Sequence, residues 1–163
     1  MATHPALALI LALLSLPASS PMPTRSANAP AAADWSRITA SWNNGSLPPP
    51  YRRSGQLTIH ADGRFERVAM QGYDAEAGNT VRSDGRIDQA ALATLRRKLV
   101  ELDVYNTRWQ EEPRPPVGGP MRWVSIETAA ETITVPPFPV AEQTERARAV
   151  FDAVRAVEPR DPD

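Results

Sequence analysis

Two hydrophobic runs around a single Asp-Gly dipeptide constrain this chain more than any other feature. Leu57, Ile59 and Phe65 are strong hydrophobes at odd-numbered positions on either side of Asp62-Gly63. Successive side chains of a strand point to opposite faces, so a slip of one residue would send part of this set to the wrong face. A two-residue Asp62-Gly63 turn would place Ile59 opposite Glu66. A three-residue loop, Ala61-Asp62-Gly63, with Gly63 in the left-handed conformation, places Ile59 opposite Phe65 instead. The second register buries the hydrophobes together and is the one predicted for a hairpin over residues 56–70. Thr58, His60, Arg64, Glu66 and Val68 then share its other face.

The remaining elements follow from periodicity and punctuation. Residues 35–42 mix Trp, Ile and Thr and stop at Asn43-Asn44-Gly45, which reads as a short strand ending in a turn. Pro48-Pro49-Pro50 is extended and lacks N–H donors, so it bridges to the next element. Residues 72–78 read as a loop and 80–83 as a short strand. Asp88 is placed as an N-cap, with Ile87 and Leu92 at the spacing of a hydrophobic staple. Leu92, Leu95, Leu99 and Leu102 form one helical stripe, predicting a helix over 89–102. A loop with four prolines and Gly118-Gly119 fills 111–120. A second hairpin, 121–128 and 131–135, pairs Ile126 with Ile133 and Val124 with Val135, and a four-residue loop suits it better than a tight Ala129-Ala130 turn. Pro136, Pro137 and Pro139 end the sheet. A last helix over 141–157 carries Ala147, Val150, Phe151, Val154 and Val157 on one stripe.

The fold class expected is therefore α+β: an antiparallel sheet of about four to six strands in ββαββα order, with two helices packed on one face. Of the 163 residues, 34–159 are read as a single domain and 160–163 as a tail.

Residues 1–33 read as a secretory leader. Ala6 to Leu16 is apolar but for Ser15, too short for a membrane span of about 20 residues, and is followed by Pro17 and small residues. Cleavage near Ala33 would leave 17 basic against 19 acidic residues. That balance discourages nucleic acid or an anionic membrane as partner. The chain has no cysteine, which excludes disulfides, thiolate metal sites and lipid attachment through cysteine, and it suits an oxidising compartment. The expected location is periplasmic or secreted, with no membrane span after leader removal.

The stretch Ile38…Pro49-Pro50-Tyr51…Leu57-Thr58-Ile59-x-x-Asp62-Gly63, then a leucine-rich helix, a second hairpin and a final helix, resembles small exported bacterial proteins of unknown function. In one such group a Cys-Pro-x-Tyr motif precedes a similar strand with an Asp-Gly turn. Here Pro48 stands where that cysteine would fall. The resemblance implies a fold and a compartment and brings no activity with it.

Catalytic sets are scarce. His60 is the only histidine of the mature chain; His60-x-Asp62 lacks further ligands for zinc, and no Gly-x-Ser-x-Gly elbow offers a nucleophile. Lys98 lies beside Arg96 and Arg97, as on a solvated helix face. Glu111-Glu112 in the proline-rich loop and Glu142 and Glu145 at a helix start suit solvation and the helix dipole better than acid–base work. No cofactor is expected. A binding patch is expected instead from Trp109, Pro116, Val117, Gly118, Gly119, Arg122 and Trp123: a tryptophan on an open sheet face beside a stiff loop. The competing reading has the N-terminal segment, with Trp35 and Trp42, folding over that face as a second small core.

The function expected is that of an exported, non-enzymatic module that binds or inhibits another exported or envelope protein. A glycan- or peptidoglycan-binding protein and a carboxylate-dependent cell-wall hydrolase are the alternatives.

Overall fold

The hairpin at Asp62-Gly63 adopts the three-residue loop. Ile59 pairs with Phe65, and Gly63 has φ +91°. A computed structural model describes residues 35–73 and 79–159. The leader expected over 1–33 and the tail at 160–163 lie outside the described residues.

Six strands and two helices are present: β1 (Trp35–Asn43), β2 (Arg53–His60), β3 (Arg64–Gln71), β4 (Thr80–Arg86), α1 (Gln89–Glu101), β5 (Met121–Thr128), β6 (Thr132–Val135) and α2 (Thr144–Ala156). A short 3-10 turn over Ala141–Gln143 leads into α2. All strand pairs are antiparallel, in the order β4-β3-β2-β1-β5-β6, and the sheet is open. The fold is α+β, as expected, with four strands rather than two before the first helix.

The strand nearest the N-terminus is the middle of the sheet. Ile38 pairs with Ile59 on one side and Ile126 on the other, and Ala40 with Leu57 and Val124. All six side chains are fully buried. This corrects the idea that Trp35 and Trp42 fold over the far face. Both lie on the helix side, Trp35 under Arg96 of α1 and Trp42 edge-on to Phe151 of α2. An apolar row three strands wide buries more surface than a flap laid over a polar face, at about 25 cal/mol per Å².

Both helices cover that same apolar face. Leu92, Leu95 and Leu99 of α1, and Ala147, Val150, Phe151 and Val154 of α2, join one core with β1, β2 and β5. Asp88 caps α1 by accepting a hydrogen bond from the Ala91 N–H at 2.8 Å. Beside it Ile87 and Leu92 are both buried, as a staple requires. The helix ends in a Schellman arrangement. Asp103 takes a left-handed φ of 53°, the Val104 N–H donates to the Leu99 carbonyl at 3.1 Å, and both Val104 and Leu99 are buried.

In the second hairpin Ile126 pairs with Ile133 and Val124 with Val135. The last paired residues are Glu127 and Thr132, leaving a four-residue loop. The Thr128 hydroxyl accepts from the Ala130 and Glu131 N–H groups, which supplies the order that Ala-Ala cannot.

Two glycines in the sheet are covered by aromatic rings. Gly55 lies opposite Trp42, whose ring occupies the place of a β-carbon, and Gly85 lies opposite Phe65 in the same way. The other side of the Trp42 ring carries the Arg155 guanidinium at 4.0 Å. Arg155 and Arg67 both pair with Glu158, at 3.0 and 3.1 Å, which ties the end of α2 to β3.

Candidate functional site: an open sheet face and a pinned loop

The face of the sheet away from the helices is polar. Alternation from the buried set places Arg37, Thr39, Ser41 and Asn43 of β1 there. Across the ladder they meet Thr58 and Gln56 of β2, and Ser125, Trp123 and Met121 of β5. Thr58, Thr39, Ser125 and Thr134 form one continuous row of hydroxyls. Trp123 sits opposite Ser41, which is 6% exposed and is the only buried polar residue among those described.

Two ion pairs lie on this face and at its edge. Arg37 donates to Glu127 at 3.0 Å, and this hydrogen bond raises the guanidinium pKa further. Arg64 donates to Asp62 through its side chain at 2.8 Å and its backbone N–H at 3.0 Å. The side-chain bond is the main reason the Asp62 carboxyl is held below its ordinary range. His60 lies two rows along the face from the row of Trp123.

The loop before β5 is stiff and tied at both ends. At its start the Glu112 N–H donates to the Phe138 carbonyl at 2.7 Å, and Glu111 bridges to Pro139. At its far end the Ser46 N–H donates to the Gly118 carbonyl at 3.1 Å. That contact needs Gly45, which is buried at φ +97° and whose β-carbon would strike the Gly118 carbonyl. The β1–β2 connection on which the loop rests is itself bonded throughout. Asn44 holds the Tyr51 carbonyl and the Arg53 N–H, and Arg52 donates to the Gly45 carbonyl while lying 4.4 Å from the Tyr73 ring centre. Between these ties Pro116, Val117 and Gly118 stand in solvent, and Val117 is fully exposed at 101%.

The seven residues expected to form one patch divide between two sides of the sheet. Pro116, Val117, Gly118 and Gly119 form the pinned loop, and Trp123 follows on the open face, half-buried with Met121. Arg122 points to the helix side, 5.5 Å from the Phe151 ring centre. Neighbouring strand residues must point to opposite faces, so Arg122 and Trp123 cannot share a patch. Trp109 also leaves it. Its indole donates to the Val104 carbonyl at 3.2 Å, and its ring packs against the core. The signal that could have found this lies in Val104, whose burial at the end of α1 draws the following segment onto the core. Met121 and Ser125 share the open face with Trp123, as the alternation along the strand requires.

Glu111, Glu112, Glu142 and Glu145 are exposed, Lys98 pairs with Glu101 at 3.1 Å, and Asp62 is engaged by Arg64. Among the described residues no group of three or more His, Cys, Asp and Glu could hold a metal ion, and no helix is long and apolar enough to cross a membrane. What the open face and loop offer is an indole, hydroxyls and a projecting valine, which are groups that recognise by contact. Comparison with protein-family models and with curated proteins gave no match to this chain.

Proposed function

We propose that this chain is an exported, non-enzymatic binding module of inhibitor type, with the 113–119 loop as the segment that enters a cleft of its protein partner. The observation that carries this reading is Val117: its side chain is fully exposed at the crest of a loop held by backbone hydrogen bonds at both ends. A loop already ordered before binding loses little conformational entropy on docking, so an exposed apolar anchor contributes most of its burial to affinity. Prolines at 113, 115 and 116 restrict the unbound loop in the same direction.

The test is affinity capture of the tagged protein from its host envelope, followed by a titration with the captured partner. Val117→Asp should weaken binding at least about tenfold, since it places a charge where an apolar contact is made. Its melting temperature should match the wild type, because the side chain touches nothing in the free protein. Equal affinity for wild type and variant would reject the loop as the binding element. Trp123 beside the hydroxyl row supports a glycan-binding reading as the alternative. In that case the protein should be retained on purified cell wall, and Trp123→Ala, not Val117→Asp, should release it.

A further inference from the structure

We propose that β4, the long outer strand of the sheet, is a homodimerisation edge that pairs antiparallel with β4 of a second copy about a two-fold axis at Ser83. The two edges of the sheet differ. β6 has four residues and runs directly into Pro136-Pro137, which limits any strand added there. β4 has seven residues, Thr-Val-Arg-Ser-Asp-Gly-Arg, with no proline, and none of them is buried.

The direction of its free backbone groups follows from two hydrogen bonds at the ends of the β3–β4 ladder. The Gln71 N–H donates to the Asn79 carbonyl and the Ile87 N–H to the Gly63 carbonyl. Antiparallel ladders alternate bonded and non-bonded pairs, so the odd-numbered residues of β4 bond inward to β3. Thr80, Arg82, Asp84 and Arg86 therefore aim their N–H and carbonyl groups outward, away from the sheet.

An added antiparallel copy must match even residues to even residues, which leaves few registers. Centred on Ser83, Arg82 faces Asp84 of the second copy and Asp84 faces Arg82, while Thr80 faces Arg86. A shift by one allowed step either way sets Arg82 against Arg82, or Asp84 against Asp84. One register is thus selected by charge.

Two charges of β4 also lack a match within one copy. Asp84 lies directly opposite Glu66, whereas Arg86, opposite Arg64, has Asp62 beside both guanidinium groups. Like charges placed as Asp84 and Glu66 are unfavourable. Among the described residues no ion pair includes Arg82 or Asp84. The second copy would set Arg82 next to the Glu66–Asp84 pair and relieve it. On the helix side the same register lays Val81, 67% exposed, across from Gly85 and the Phe65 ring that covers it. The two-fold axis stands perpendicular to the sheet, so both helix layers fall on one side and both open faces on the other.

Sedimentation equilibrium on the full purified chain tests this. A single strand-to-strand contact buries less than the roughly 1,200–2,000 Å² of a stable interface, so a reversible dimer is expected with a dissociation constant on the order of 10–100 µM, tighter at low salt. Arg82→Asp and Asp84→Arg should each weaken it at least about tenfold, and the double exchange should restore it to within about threefold. Circular dichroism checks that each variant folds. Hydrogen exchange on the wild type gives an independent readout: the amides of Arg82 and Asp84 should become protected as concentration rises, and those of Thr132 and Thr134 should not. A chain that stays monomeric at millimolar concentration overturns the proposal and leaves the edge free for a strand of another protein. A dimer indifferent to the single reversals, or not restored by the double exchange, also overturns it.

Discussion

β1 and β4 are strands of similar length in one sheet, and they hold their places for opposite reasons. β1 has a neighbour on each side and two helices above, and Ile38 and Ala40 are fully buried among Leu57, Ile59, Val124 and Ile126. β4 has one neighbour, no buried residue, and a like-charged pair, Asp84 and Glu66, against it. The core thus selects β1, whereas β4 is held by backbone pairing and by the ring of Phe65 on Gly85. Stability belongs to the middle of the sheet, and the outer strand is free to serve association.

The contrast is broken most directly in the core. Ile126→Ala should destabilise by about 2–5 kcal/mol, while Val81→Ala on β4 should stay within about 0.5 kcal/mol. Urea denaturation of the two variants decides it, and similar losses would mean that β4 carries as much of the fold as β1. The two ring-covered glycines sharpen it further. Gly55→Ala must displace Trp42, which is wedged between β2 and Arg155, and should destabilise by about 1–3 kcal/mol. Gly85→Ala meets only Phe65, at 2.8 Å, on a strand with an open side that can shift, so its thermal unfolding should change less.

Asp88 joins the two regions, since it follows β4 and caps α1. Asp88→Ala should lower stability by about 1 kcal/mol in thermal or urea unfolding. The smallest expected effect concerns Tyr105, packed against the core with a hydroxyl that is buried and has no hydrogen-bond partner. Burial pushes its pKa up to about 12. A folded-state value above the unfolded value of about 10 favours folding fully below pH 10, and the contribution fades as pH rises from 10 towards 12. Tyr105→Phe should leave the urea midpoint at pH 7 unchanged or slightly higher. Between pH 10 and 12 it should lose less stability than the wild type. Parallel alkaline curves for the two proteins would remove this role for the hydroxyl.

Legibility in the sequence tracked burial. The hairpin at Asp62-Gly63, the second hairpin and both helical stripes could be read because each has a strict apolar period that one register or one face satisfies. β4 could be read only as a short strand over 80–83, since Thr-Val-Arg-Ser-Asp-Gly-Arg has no apolar alternation and its length is set by pairing with β3. The candidate patch was half legible. The loop and Trp123 follow from parity and proline content, whereas Trp109 was misplaced because its position depends on where the chain turns after α1.

The sequence by itself determined the class, the registers of both hairpins, the cap at Asp88 and the helix faces, because these rest on interactions between residues near in sequence. Only the tertiary structure decided that the strand nearest the N-terminus is central, that Trp109 packs on the core, and that Gly45 and Gly118 meet. Those outcomes depend on which apolar surfaces find each other across long separations in the chain. The free energy of that choice lies in packing the assembled core, which no local pattern encodes.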